Sequence, residues 1–268
     1  MALTLTSIIV ILVSTVFLVQ NHFFSEQVLR SAAHDNARMV TEYIAEDLRS
    51  VMAGGMVVAD HKDMVFHSPI VLAAVCATPR DRATVHIDGG TAALDTTEIS
   101  GFAIRNDTTG SWTYYDISGW GTIWDAGGHP QDECANNGAD TTGAYNEFTR
   151  LKALKSFIGY DPQEGTLLML YRNVEFKFAT SGMDSTTVGL YRGIYGKTLV
   201  EFATGMDTTA SFAYRTGGSS YATSVTGTSL TNIDAVRIGA EARERQETGG
   251  VQDITYGWSV NLVLRNGN

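Results

Sequence analysis

Positive charge is missing from the start of this chain: no lysine or arginine precedes Arg30, and no acid precedes Glu26. The helix breakers are missing there as well, with neither proline nor glycine between Met1 and Ala53. Nothing therefore interrupts a helix over residues 1–53. Gly54-Gly55 offers a natural stop, because glycine accepts the left-handed conformation at a helix end. A secretion signal needs a basic start, a short apolar region and a small-residue cleavage site, and this segment fits that description poorly. A plain single-pass anchor fits better, but it usually carries lysine or arginine on its cytoplasmic flank. The bare flank predicts that a leader is removed upstream of Met1.

Other scarcities narrow the class. Charged residues make up 18% and hydrophobic ones 44%, too little charge for disorder and enough apolar side chain for a core. The formal net charge of −10 argues against nucleic acid, which requires clustered lysine and arginine. Only 4 prolines accompany 27 glycines, which suits β-structure with tight turns. There are 2 cysteines, Cys76 and Cys134, in no CxxC or Cys/His cluster. They read as one disulfide closing a long loop in an oxidising compartment, or as two buried thiols in the cytosol. Catalytic signatures are lacking: no HExxH, no GxSxG elbow, no phosphate-binding GxxxxGKS/T loop and no dinucleotide fingerprint. His22, His34, His61, His67, His86 and His129 form no close metal pair. No enzyme, cofactor or metal is expected.

What is present divides at two points. Residues 1–25 are apolar on every side, relieved by a few hydroxyls and by Gln20, Asn21 and His22, and are long enough for a hydrocarbon core of about 30 Å. Residues 26–53 continue without a break as an amphipathic half. Leu29, Ala32, Ala33, Met39, Val40, Tyr43, Ile44, Leu48 and Val51 recur at helical spacing among Glu26, Arg30, Asp35, Arg38, Glu42, Glu46, Asp47 and Arg49. The predicted rod is about 80 Å long.

From residue 56 to 268 the period changes to that of strands. Ten short stretches rich in Val, Thr, Tyr and Phe alternate with Gly, Asp and Asn turns, among them DMVFHS, SGFAIRN, TLLMLYRNVEFKFAT and AVRIGAEAR. The expected fold is α+β, a long N-terminal helix packed on an antiparallel β-rich head. Within the head, VEFKFATSGMDSTTVGLYRG from Val174 is echoed by VEFATGMDTTASFAYRTG from Val200, which predicts two similar hairpins. Asp184 and Asp207 in the shared GMD turn read first as residues bonding their own backbone, and second as calcium ligands. Residues 120–145 read as a long loop with Cys134 in its middle, where a disulfide would pin it. Asp125, Asp132, Glu133 and Asp140 could gather round a hard cation, although no EF-hand spacing is present. Trp112, Tyr114, Trp120 and Trp124 suit core or interface packing first and stacking on sugar second. Asn106-Asp107-Thr108 is a formal N-glycosylation triplet.

An apolar half-helix, an amphipathic half-helix and a β-rich head, in that order, resemble the type IV pilin superfamily. The segment AAHDNARMVTEYIAEDLRSV, residues 32–51, is similar to the helix of larger pilin-like proteins. The tail AVRIGAEARERQ…YGWSVNLVLRN, residues 235–266, is similar to their closing strands. The resemblance implies a subunit cleaved by prepilin peptidase and methylated at its new amine. It would be held in the inner membrane, then polymerised by the pilus assembly machinery into an extracellular filament of identical copies. Filament-core residues would be Met1, Leu5, Ile8, Ile9, Leu12, Val16 and Leu18. A cell-surface location favours the Cys76–Cys134 bridge. Most major pilins carry Glu at the fifth mature position, where it meets a neighbour's amine. Here Leu5 stands there, leaving the amine to Thr4, Thr6 and Ser7. That departure is familiar in tip-located minor pilins, so the alternative is a minor or tip pilin, or an anchored surface adhesin binding carbohydrate.

Overall fold

A computed structural model describes residues 2–77, 82–87, 97–106, 108–116, 148–152, 163–245 and 253–264. Helix α1 runs unbroken from Ala2 to Arg49. Hydroxyls within it bond back to the preceding turn, which keeps them compatible with the helix. Thr15 Oγ1 donates to Ile11 O at 2.7 Å, and the buried Thr41 Oγ1 donates to Ala37 O and Arg38 O at 3.1 and 2.9 Å.

The helix stops short of the expected residue 53. Ser50 N and Val51 N donate to Asp47 O and Leu48 O at 3.2 and 3.1 Å, a tightened last turn that satisfies carbonyls the α-helix leaves open. Ser50 Oγ adds a bond to Asp47 O at 2.6 Å. Val51 then turns into the core, where it is fully buried. Gly54, at φ 75°, belongs to the turn that starts the first strand and does not cap the helix.

Among the described residues twelve strands follow: β1 Met56–Ala59, β2 Asp63–Ala77, β3 Arg82–Ile87, β4 Gly101–Arg105, β5 Trp112–Asp116, β6 Phe148–Lys152, β7 Leu167–Thr180, β8 Val188–Ile194, β9 Val200–Met206, β10 Ser211–Arg215, β11 Ala235–Arg245 and β12 Asp253–Val263. Their sheet order is β10-β11-β9-β8-β7-β2-β3-β6, with β12 on β11, β1 on β2, and β4 between β5 and β7. The pairings are antiparallel, so the architecture is α+β with an antiparallel head.

The long strands β2 and β7 form the spine. They pair from Asp63↔Lys177 to Ala74↔Leu167, with the register slipping between Pro69 and Val71. Proline has no N–H to give a ladder, so an irregularity is where a central strand tolerates it. One end of the spine carries β8, β9, β11 and α1, around a core that includes Phe66, Phe176, Phe178, Leu190, Phe212 and Tyr214. The other end holds a smaller core of Ala73, Val75, Val85, Ile99, Phe102, Ile104, Leu168 and Leu170.

A single glycine decides how β4 fits this spine. A Cβ on Gly101 would lie 2.1 Å from Tyr171 Oη and 2.5 Å from Tyr115 O. Tyr171 is fully buried and its hydroxyl donates to Tyr115 O at 3.1 Å, so it has no room to retreat. Gly101→Ala should destabilise the full chain by about 1–3 kcal/mol, since overpacking forces either ring or strand to move. Chemical denaturation would measure it, and an unchanged midpoint would mean that β4 yields freely.

The repeated sequence does not make two hairpins. β7 and β8 pair directly, Thr180 facing Val188. β9 and β10 do not pair with each other, because β11 lies between them in the sheet. β10 pairs along Ser211–Arg215 with β11, and Met206 of β9 meets Ala242 of the same strand. The shared GMD also divides: Met183 is exposed at a turn, while Met206 is fully buried at a strand end. Both aspartates bond locally. Asp184 Oδ1 accepts from Thr186 N at 2.9 Å, and Asp207 Oδ1 accepts from Thr209 N at 3.1 Å.

Candidate assembly helix

Helix α1 has a docked half and a bare half. In the docked half Ala33, Ala37, Val40, Thr41, Ile44, Ala45 and Leu48 are buried against the sheet, chiefly on β11 and β12 and to a lesser extent on β9. Small residues at 33 and 37 let the helix backbone come close to the strands. The seam follows positions 33, 37, 40, 44 and 48, one face at 3.6-residue spacing. Two residues expected on it are elsewhere: Ala32 is exposed, and Met39 is 46% exposed. Both sit one position off the seam, which rotates them away from the sheet, while Ala37 and Thr41 occupy the places facing it.

Polar groups fix the angle of the rod. Asn36 Nδ2 donates to Thr204 O on β9 at 2.8 Å. Arg192 of β8 donates from Nε and Nη2 to Asp47 Oδ2 at 3.0 and 2.9 Å, and its guanidinium lies 5.4 Å from the Tyr43 ring. Tyr43 stacks on Phe202 of β9 at 4.0 Å. On the other flank, His34 meets Tyr256 and Trp258 of β12 edge-on at 4.8 and 5.4 Å. Asn36, Tyr43 and Asp47 share a stripe with Val40 at intervals of three and four. That spacing was the available signal for Asn36 and Asp47, which a hydrophobic count alone passes over. The exposed pairs Glu26–Arg30 and Arg38–Glu42, at 2.5 and 2.7 Å, lie outside the seam, and such surface pairs contribute little. The hydrogen bond to Glu42 raises the Arg38 guanidinium above its usual range.

The bare half is uncovered all round. From Ile9 to Phe24 every residue is exposed, including Ile9 at 51%, Leu12 at 59%, Val16 at 55% and Leu18 at 67%. Leu5 and Ile8 lie within the same helix, and Met1 lies outside the described residues. Among the described residues α1 is the one helix long and apolar enough to cross a membrane. An apolar patch on a soluble monomer is ordinarily a few hundred Å². A naked apolar rod of four turns exceeds that and needs lipid or protein around it.

The remaining sequence candidates fall in several places. Cys76 on β2 is buried and disulfide-bonded, and Cys134, the chain's other cysteine, lies outside the described residues. Tyr114 and Trp112 are packing residues. Tyr114 stacks on His67 at 4.5 Å, its hydroxyl donates to Ala53 O at 3.2 Å, and burial pushes that hydroxyl well above the usual phenol range. Trp112 packs partly buried on Ala103 and Met169. Trp120, Trp124, Asp125, His129, Asp132, Glu133 and Asp140 lie outside the described residues. His61 Nδ1 is 2.9 Å from Asp60 Oδ1, His67 Nδ1 is 2.6 Å from Asn173 Oδ1, and His86 is on β3. Among the described residues no three His, Cys, Asp or Glu gather as a metal site. Asn106 is at the tip of the β4–β5 hairpin.

The two segments that carry the pilin resemblance meet in space, since residues 32–49 of α1 pack on the β11–β12 hairpin. Comparison with protein-family models, with curated proteins and with solved structures yields no match for this chain.

Proposed function

We propose that this chain is the structural subunit of an extracellular type IV pilus-like filament, polymerising through the bare half of α1. The observation that carries this reading is the continuity of α1: an uncovered apolar half joined without a break to a half docked on the head. In lipid the apolar half satisfies its own backbone and is solvated by acyl chains. In a filament the same surface is covered by copies of itself, and the head follows rigidly outside. Each copy offers different patches above and below, the head-to-tail arrangement that gives an open helix. The disulfide at Cys76 suits an oxidising, extracellular head. The inner membrane before assembly, a prepilin peptidase and the assembly machinery are the partners this reading requires.

Negative-stain electron microscopy of material sheared from cells without detergent tests it. Helical fibres that contain this chain are the expected result. Protein found only as membrane-bound monomers would reject the shaft and leave the anchored surface adhesin.

A further inference from the structure

The β4–β5 hairpin carries a group that neither the core nor the assembly helix uses. The chain holds one Asn-x-Ser/Thr triplet, beginning at Asn106. The structure places it where Arg105↔Trp112, the last pair of the hairpin, gives way to the turn. Thr108, Thr109, Gly110 and Ser111 are all exposed there, and Asn106 is half-buried. Asn106 builds the turn itself. Its backbone N–H donates to Ser111 O at 2.8 Å, and its carbonyl accepts from Gly110 N at 2.7 Å. Its carboxamide oxygen accepts from Thr108 N and Thr109 N at 2.9 and 3.1 Å. The oxygen is thus committed to the turn, whereas Nδ2 donates to no described group. The Thr109 hydroxyl is taken up by Ser111 Oγ at 2.7 Å, and the Thr108 hydroxyl bonds no described group.

We infer that Asn106 is an N-linked modification site, taking one glycan from a polyprenyl phosphate- or pyrophosphate-linked sugar. In that transfer Nδ2 forms a bond to the anomeric carbon while the bond from that carbon to the phosphate oxygen breaks. The nitrogen loses one proton and the lipid phosphate leaves, with no oxidant or reductant involved. The Thr108 hydroxyl is the group through which a transferase engages the triplet, and it stands on the same exposed tip. Position favours the site further. β4 pairs Ile104 with Leu168 of β7, whereas the core that holds α1 uses Val174, Phe176 and Phe178 of that strand. The hairpin meets the segment after α1 through Tyr114, which donates to Ala53 O and packs with Met52. The triplet sits on the exposed turn beyond Arg105 and Trp112, and none of it covers the bare half from Ile9 to Phe24. A glycan there leaves α1 free, so this inference stands or falls separately from filament assembly.

Mass spectrometry of the tryptic peptide 106–150, from protein purified out of its own cells, is the test. The expected spectrum carries a glycan mass on Asn106. Occupancy should fall at least about tenfold in both Asn106→Gln and Thr108→Ala, and persist in Thr108→Ser and Thr109→Ala. Thr108→Ala keeps the backbone N–H that Asn106 Oδ1 accepts, so its loss of glycan does not report a broken turn. A wholly unmodified wild-type peptide, or an adduct that survives Asn106→Gln, would overturn the assignment.

Discussion

Lysine in place of Ile9 or Leu12 should abolish filaments. Each side chain lies on the uncovered apolar half of α1, where every neighbour from Ile9 to Phe24 is exposed. A charge at the centre of an apolar helix costs about 2.5–3.5 kcal/mol when inserted into a bilayer. Within a polymer core the cost recurs in every subunit, and no acid between Met1 and Ser25 is there to pair with it. Electron microscopy of sheared material should therefore show no fibres. Ile9→Leu, which keeps volume and polarity, should preserve them. The docked half and the sheet are untouched by either lysine, so the unfolding transition of the detergent-solubilised chain should match wild type. Fibres at normal abundance from both lysine variants would remove the bare half from the assembly interface.

The second large effect concerns the joint between rod and head. Leu48 is fully buried at the last turn of α1, within the core that includes Ile44, Phe66 and Phe176. Leu48→Ala removes three carbons from a packed site and should destabilise the head by about 2–5 kcal/mol, according to how far the surroundings collapse. Denaturant unfolding of the detergent-solubilised full chain reads this directly. A loss under about 1 kcal/mol, below the range for such a cavity, would mean that the end of α1 contributes little to the core. The neighbouring Asp47–Arg192 pair is partly exposed and should matter less than the cavity.

Much of this architecture was legible in the residues. A helix without a single proline or glycine, and strands marked by β-branched and aromatic runs, leave local signals that tertiary structure then respects. The parts that escaped have physical causes. β1 is four residues beyond a glycine turn, and β6 is the unremarkable FTRLK. The second half of β2 follows Pro69, which demotes a strand by its missing donor even though the slipped register accommodates it. The repeat at Val174 and Val200 predicted hairpins because similarity reports local shape. Pairing depended instead on β11, which arrives from more than twenty residues downstream and occupies the space between β9 and β10. The helix seam was misjudged by one position at Ala32 and Met39, since alanine, threonine and methionine carry weak preferences for either environment. The bare half was the clearest element of the candidate site. Its composition alone shows that it needs covering, while the cover comes from molecules that one sequence does not describe.

The unbroken helix has a mechanical corollary. Tension applied between head and apolar end runs along one continuous helix, whose successive hydrogen-bonded turns are loaded in series. The docked half is clamped sideways by Val40, Ile44, Leu48 and the Asp47 pair, and it can extend only by shearing those contacts together. Outside a membrane or polymer the bare half has only its own turns, and isolated helices of this kind are marginal in water. Under load α1 should therefore behave as a stiff lever at the head and a yielding spring at the far end, lengthening turn by turn there before the head loses its grip.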